Sequence, residues 1–540
     1  MELAELIEAL SRPEAYPFPV GQIDVRHTHI SVVFLAGPYA YKVKKQVNLG
    51  FLDFSTLDKR RHFCEQEVRL NRRLSPSVYL GAVPIARASI GIQLETPGEI
   101  VDWAVKMERL PETATFAALV ASDDAGSQEG LFTQVTALAK RLARFHSEAE
   151  TSPHISSFGR VEVVAQNAHE NFEQAEPLVG VTLSRTVFNR LKELCDEALA
   201  RLGSLIQSRA ERHVPRDTHG DLHLDHVYAF PDRPPPDDLV IVDCIEFNER
   251  FRYADPVADM AFLYMDLVFH GRRDLAEQFA SEYFQATGDN EGRALLPFCA
   301  AYRAAVRGKV EGFELAEEEV PEPERAKALT RARAYWLLAL GLLEKPSQRP
   351  GLLLVAGLPG TGKSTLAKGL SELANFSLIR SDVVRKELAA SLTLRVGIQR
   401  TPTRSVSEAE IYSSAWTDRT YAECLDRAEK LLFQGKRVIV DATFREEKKR
   451  RDFLELAARL AVPAAFFVCQ ADPEMIRQRL GERKGDASDA DWSVYRKAVE
   501  QWEEPGPRTR QALRIIRTEG SAEDAFSQAE ELLREFGLWQ

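Results

Sequence analysis

Gly357-Leu-Pro-Gly360-Thr361-Gly362-Lys363-Ser364 has the spacing G-x-x-x-x-G-K-S. Its glycines let successive backbone N–H groups turn toward one point, and a helix beginning there adds partial positive charge. Phosphate oxygens are the natural occupant. In this spacing Lys363 reaches the β- and γ-phosphates of a nucleotide, and the Ser364 hydroxyl is placed to ligate Mg²⁺. Gly357, Gly360, Thr361, Gly362, Lys363, Ser364 and Thr365 are therefore the candidate ATP-binding residues.

Further carboxylates and arginines lie downstream. The apolar run Arg437-Val-Ile-Val-Asp441 ends in an aspartate, the position from which a carboxylate holds Mg²⁺ directly or through water. Leu378-Ile-Arg-Ser-Asp382 reads as a second strand ending at Asp382. A carboxylate there can take the proton of an acceptor hydroxyl, and Arg385 one turn later can hold the acceptor. The competing reading makes Asp382 the N-cap of the next helix. Arg477, Arg479 and Arg483, followed by the polar run from Gly485, have the composition of a lid whose arginines neutralise charge on a transferring phosphoryl group.

A second constellation lies in the first half of the chain, Thr218-His219-Gly220-Asp221-Leu222-His223-Leu-Asp-His226, with Asp243 seventeen residues beyond His226 on the apolar run Leu239–Ile245. An aspartate in a polar loop can orient or deprotonate a hydroxyl, and one at a strand end can ligate the ion that bridges phosphates. Taken alone, His-Gly-Asp is also an ordinary turn.

These residues need elements to hold them. Ile30–Val47 reads as two strands about a Gly37-Pro38 turn, and 56–74 as a helix. The segments 131–147, 184–207, 256–287 and 295–312 have helical periodicity, while Val227–Phe230 and Leu239–Ile245 read as short strands around a proline-rich turn. Leu352–Ala356 is a buried-strand run. Glu344-Lys-Pro-Ser-Gln-Arg-Pro350 marks a boundary, because proline stops the preceding helix. The expected units are 1–345, divided into a strand-rich lobe of about 1–108 and a helical lobe of about 109–345, and an α/β unit of 346–540.

Composition limits the function classes. Hydrophobic residues make up 44% and charged residues 28%, as in globular chains. Seventy Lys and Arg against 81 Asp and Glu give a net charge of −11, which argues against general nucleic-acid binding. No apolar run approaches the ~20 residues that span a bilayer. The acidic start and six scattered cysteines without a C-x-x-C pair read as a cytoplasmic protein with reduced thiols. The clusters Glu317–Glu319 and Arg445–Arg451 read as solvated faces, and Trp336 and Trp416 as packing residues.

Taken together, Gly357–Thr365, Arg-Ser-Asp382, Val-Asp441-Ala-Thr and the arginine-bearing segment resemble the small P-loop kinases, a group that includes gluconate kinase, chloramphenicol phosphotransferase, zeta toxins and the kinase half of polynucleotide kinase. The resemblance implies Asp382 as base and Arg479 or Arg483 as lid arginine. Residues of about 20–340 resemble the aminoglycoside phosphotransferase and choline kinase-like family, whose catalytic loop reads His-Gly-Asp-Leu-His-x-x-Asn. That resemblance implies a two-lobed kinase-like fold with Asp221 as catalytic aspartate and Asp243 as Mg²⁺ ligand. Lys42 or Lys44 is then the nucleotide lysine, Glu67 its helix partner, and Met107–Pro111 the hinge. Ala139–His146 and Asp255-Pro-Val-Ala-Asp259 match as well. Two positions depart from the family: His226 stands where it carries a metal-binding Asn, and no Gly-rich loop follows the first strand. Imidazole suits Zn²⁺ or Fe²⁺ better than Mg²⁺. The expectation is an ATP- and Mg²⁺-dependent phosphotransferase acting on a small-molecule hydroxyl. The alternatives are a non-catalytic N-terminal binding module, or a polynucleotide 5′-hydroxyl kinase in the C-terminal half.

Overall fold

The computed structural model describes residues 1–89, 91–122, 125–316, 320–396, 413–482 and 491–540. Alternation builds its first sheet. In β2 (Ser31–Ala36) Val32, Phe34 and Ala36 face inward, and in β3 (Tyr39–Lys44) Tyr41 and Val43 join them. Successive side chains of a strand point to opposite faces, so Lys42 and Lys44 share the other face. With β1 (Ile23–His27), β4 (Tyr79–Ala88), β5 (Gly91–Leu94) and β6 (Glu99–Glu108), these strands form an antiparallel sheet of order β1-β2-β3-β6-β4-β5. The helix Leu57–Asn71, capped by the Thr56 hydroxyl, brings Cys64 and Val68 against Val78, Tyr79 and Val105.

The chain that follows this sheet is mainly helical, with Ala125–Glu148, Arg185–Glu211, Pro256–Phe269 and Arg273–Thr287 among its helices. Short pairs interrupt it: β7 (Arg216–Asp217) is antiparallel to β10 (Tyr253–Ala254), and β8 (Val227–Ala229) to β9 (Leu239–Ile241). Two expectations need correction. The segment 256–287 is two helices, because the first turns out at His270-Gly271-Arg272, where Gly271 takes φ +75°. The strand expected over 239–245 stops at Ile241, and Asp243 adopts φ +66°, a backbone state outside any strand.

The C-terminal sheet is wholly parallel, with strands β11 (Gly351–Ala356), β12 (Ser377–Arg380), β13 (Arg437–Asp441), β14 (Ala464–Gln470) and β15 (Leu513–Arg517) in the order β12-β13-β11-β14-β15. Every residue of β11 and β13 is buried, as expected of central strands covered on both faces. On one face Leu366 and Leu370 of the helix Lys363–Leu373 meet Ala529 and Leu533 of Ala522–Glu535 over Leu353, Val355 and Phe467. Phe444 makes edge contacts with Phe453 and Phe466 elsewhere in this domain. The basic run 445–451 is not wholly a solvated face. Arg450 is fully buried and donates to the carbonyls of Phe444, Arg445 and Glu503, so three backbone acceptors compensate its burial. Trp336 is buried as expected, lying 3.0 Å from where a Cβ on Gly308 would be. Glu317–Glu319 lie outside the described residues.

By contact density the chain divides into two compact units, Met1–Asn167 with Leu199–Ala300, and Ala168–Ala198 with Ala301–Gln540. Among the described residues no helix is long and apolar enough to cross a membrane.

Candidate functional site

In the C-terminal domain the loop leaving β11 has the backbone that a phosphate cradle needs. Gly357, Gly360 and Gly362 take φ of +146°, +84° and +83°. A Cβ on Gly357 would lie 2.5 Å from Thr361 Oγ1 and 2.8 Å from the Cys469 carbonyl, so no side chain fits there. Thr361 Oγ1 donates to the Leu358 carbonyl at 2.8 Å and holds the turn closed. Lys363 then opens its helix directly, with Gly362 as the left-handed N-cap.

Strand register brings the remaining groups to the same end of the sheet. Asp441 pairs with Val355 on one side and Arg380 on the other, so it lies beside both the P-loop and the segment carrying Asp382. Its carboxylate is buried. Oδ2 accepts from Arg380 Nε at 3.3 Å, while Oδ1 has no hydrogen-bond partner among the described residues. An orphaned buried carboxylate oxygen is costly unless something else satisfies it. A hard oxygen of this kind fits Mg²⁺.

The helix after β12 begins at Ser381, so Asp382 lies within its first turn and is not the N-cap. Burial pushes the Asp382 carboxyl up from its ordinary range, opposed by the charge of Lys363 and reinforced by Asp441. Arg385, also buried, donates to Thr417 Oγ1 at 3.4 Å. Lys363, Asp441 and Arg385 thus all act electrostatically on Asp382. Arg479 donates to the Thr518 carbonyl at 2.6 Å, and the Thr518 hydroxyl donates to the Thr361 carbonyl at 2.7 Å. Arg479, Gly362, Thr365, Thr518, Gly520 and Phe526 help line a cleft with about 230 Å³ of open space. Thr518 and Gly520 had no signal in the sequence, since a Thr and a Gly just past a strand are commonplace. Arg483 and the polar run 485–490 lie outside the described residues.

The N-terminal unit holds its own polar cluster. Lys42 Nζ is 2.5 Å from Asp243 Oδ1 and 3.0 Å from Glu67 Oε1. Lys44 Nζ is 2.7 Å from Glu67 Oε2, pairs also with Glu246, and is fully enclosed. Lys42 is therefore the lysine that reaches the carboxylate of Asp243, and Lys44 is a buried counter-ion behind it. Burial works to lower the Lys42 pKa, but Asp243 and Glu67 outweigh it and hold the ammonium well above its ordinary value. Burial likewise opposes ionisation of Asp243, and Lys42 and His226 overcome it, so that carboxyl titrates below its usual range.

Asp259 fixes the loop that carries Asp221. It accepts from the backbone N–H groups of His219 at 3.1 Å and Gly220 at 2.8 Å, and meets His146 Nε2 at 3.1 Å. His219 Nε2 lies 2.9 Å from the Val242 carbonyl, tying the loop to the segment before Asp243. The amide of Asp243 donates to the Tyr79 hydroxyl at 3.0 Å. Within this frame Asp221, His223 and His226 each place a ligand atom within 4.8 Å of the others. Burial, aided by His223, pushes the His226 imidazole down to about 4, so it is neutral at physiological pH. No role was expected for His223; its spacing of three from His226 was the available signal.

The chain is 34% identical over 470 residues to the uncharacterized protein Rv2004c of Mycobacterium tuberculosis (strain ATCC 25618 / H37Rv), a match spanning 87% of this chain and 88% of that protein. The uncharacterized protein Mb2027c of Mycobacterium bovis (strain ATCC BAA-935 / AF2122/97) matches to the same degree. This chain belongs to their family. Residues 352–505 also match the AAA domain family, a span that contains the P-loop, Asp382, Asp441 and Arg479. Similar solved structures include a choline/ethanolamine kinase family protein from Mesorhizobium loti, 13% identical with a TM-score of 0.36, covering 63% of this chain and 99% of that one. A gluconokinase from Sinorhizobium meliloti 1021 is 16% identical with a TM-score of 0.25, covering 35% and 94%.

Proposed function

We propose that this protein is an ATP-dependent phosphotransferase whose P-loop domain, within residues 346–540, moves the γ-phosphoryl group to a hydroxyl of a small polar molecule. The observation that carries this reading is the meeting of Lys363, Asp382, Arg385 and the orphaned Asp441 oxygen at one end of the parallel sheet. Ligands of open α/β sheets bind at that end.

On this reading the P-loop amides and Lys363 hold the phosphates, while the cleft beside Thr365 and Phe526 receives the nucleoside. Ser364 and Asp441 would hold Mg²⁺, which when bound shields the phosphate charges. Asp382 accepts the proton of the acceptor hydroxyl as its oxygen attacks the γ-phosphorus. Burial supports that role, because it raises the carboxyl toward the pKa that suits a base near neutrality. Arg385 orients the acceptor, and Arg479, with Arg483 from the neighbouring segment, neutralises charge on the transferring group. The net charge of −11 favours a small-molecule acceptor over a polynucleotide.

For the unit we assign to residues 1–345, the corresponding reading gives Asp221 the base role, Lys42 and Glu67 the nucleotide contact, and Asp243 with His226 the metal. A second reading, a non-catalytic binding or regulatory module, is favoured there by the His226 imidazole standing where the resembled family carries a metal-binding Asn. None of the six cysteines forms a disulfide, which supports a reducing, cytoplasmic setting.

Phosphoryl transfer from labelled ATP into a metabolite extract tests both halves, with wild type compared against Lys363→Ala and Asp221→Ala. A labelled product that vanishes with Lys363→Ala supports the P-loop assignment. A product that survives Lys363→Ala and vanishes with Asp221→Ala moves the activity to the N-terminal unit and sinks the main reading.

A further inference from the structure

The two histidines after Asp221 are each oriented by an oxygen at Nδ1. His226 Nδ1 lies 2.8 Å from the backbone carbonyl of Asp221. A carbonyl only accepts, so Nδ1 carries the proton and Nε2 presents a lone pair. That Nε2 lies 3.6 Å from Asp243 Oδ2, a second acceptor and beyond hydrogen-bond reach. Lys42 occupies the other oxygen of Asp243.

His223 repeats the arrangement. Its Nδ1 faces the Asp225 carboxylate at 3.5 Å, and its Nε2 lies 3.7 Å from Asp221 Oδ2. The two rings lie against each other with centroids 3.8 Å apart. Each imidazole is thus oriented by an oxygen at Nδ1 and turns Nε2 toward a carboxylate. Metal-binding histidines are commonly held this way, with the second nitrogen on a carboxylate or a carbonyl.

The spacing fits as well. Two ligands each ~2.1 Å from one ion at a tetrahedral angle lie about 3.4 Å apart. The 3.7 Å gap between His223 Nε2 and Asp221 Oδ2 is close to that value, and ligand atoms of Asp221, His223 and His226 all lie within 4.8 Å of one another, so a contraction onto an ion would close the difference. Mg²⁺ prefers oxygen and dehydrates reluctantly, whereas imidazole with carboxylate suits Mn²⁺, Fe²⁺, Co²⁺ or Zn²⁺.

We propose that Asp221, His223 and His226 form a site for a first-row transition-metal ion, in place of the Mg²⁺ that the family resemblance implies. Asp225 and the Asp221 carbonyl orient the two imidazoles. The site stands whether or not the N-terminal unit transfers phosphate, and its test reads binding alone.

Metal-free full-length protein without nucleotide is titrated with Co²⁺, following visible absorption, and repeated in excess Mg²⁺. The expected result is one tightly bound Co²⁺ per chain that Mg²⁺ fails to displace. His226→Asn and His223→Gln, each checked for folding by circular dichroism, should weaken Co²⁺ by at least the ~10–100-fold that loss of even an outer-shell partner costs. Ser364→Ala, which alters the P-loop, should leave it unchanged. The proposal is overturned if Mg²⁺ displaces Co²⁺ at comparable concentration, or if Ser364→Ala removes the bound ion. Unaltered affinity in both folded histidine variants overturns it too. The Mg²⁺ competition on wild type decides the question even where a variant does not fold.

Discussion

Replacing Lys44 by Met should cost the N-terminal unit several kcal/mol, in a pH-dependent way. The Lys44 side chain is fully enclosed, with Nζ 2.7 Å from Glu67 Oε2, paired with Glu246, and 4.9 Å from the centre of the Phe54 ring. Methionine fills nearly the same volume, so the cavity term is small and the lost charge dominates. Two carboxylates then share a dry site with Lys42 as the remaining nearby lysine. Removing one partner of a buried ion pair typically costs ~3–5 kcal/mol, because the other charge is left without compensation. Glu246 sets the pH dependence. Burial already raises its carboxyl above the ordinary 4.5, against the pull of Lys44, and removing Lys44 raises it further. A carboxyl whose folded pKa is raised binds its proton more tightly in the native state. Its penalty is therefore absent well below the unfolded value and grows as pH rises through the folded one. The deficit of Lys44→Met should be largest near pH 8 and shrink toward pH 5. Urea unfolding, read by hydrogen exchange of peptides covering β3 and the helix Leu57–Asn71, measures it. A loss below ~1 kcal/mol at pH 8, or one equal at both pH values, would refute the reasoning.

Asp259→Ala leaves the amides of His219 and Gly220 without their acceptor; at ~1–3 kcal/mol per buried unsatisfied group it should destabilise the unit by roughly 2–6 kcal/mol in thermal unfolding. Asp259→Asn, which keeps one acceptor oxygen, should recover part of that loss. Gly357→Ala forces a Cβ to within 2.8 Å of the Cys469 carbonyl at a φ of +146°, and should cost ~1–3 kcal/mol of strain. If the loop relieves that strain by opening, ATP affinity measured by calorimetry falls at least tenfold, and unchanged affinity would show that the cradle does not use this conformation.

Much of both sites was legible because their chemistry is local. The P-loop needs only a strand, a glycine spacing and a helix, and each leaves its own mark in the sequence. Asp441 was legible for the same reason, since it ends an apolar strand. What stayed hidden depended on distance along the chain. Lys42 and Lys44 occupy one strand face with the same spacing to any partner, and only the fold shows that Asp243, 201 residues away, lies against the first. His223 was passed over because its use depends on the rotation of a ring that Asp225 holds. Arg450 looked solvated among its basic neighbours, and its burial follows from three carbonyls that no sequence pattern brings together. The break at Gly271 was legible in principle, but the apolar periodicity on either side runs through it.

The central claim is that Asp382 serves the acceptor and not the nucleotide. Asp382→Asn keeps the size and position of the side chain and removes its basicity. The decisive measurement is Mg·ATP affinity by calorimetry beside single-turnover phosphoryl transfer to the labelled product, in wild type and Asp382→Asn. The account predicts affinity changed less than about threefold and transfer slowed by roughly 10²–10⁴-fold, the contribution of a positioned general base. Transfer at the wild-type rate, or a loss explained wholly by weaker ATP binding, would contradict it.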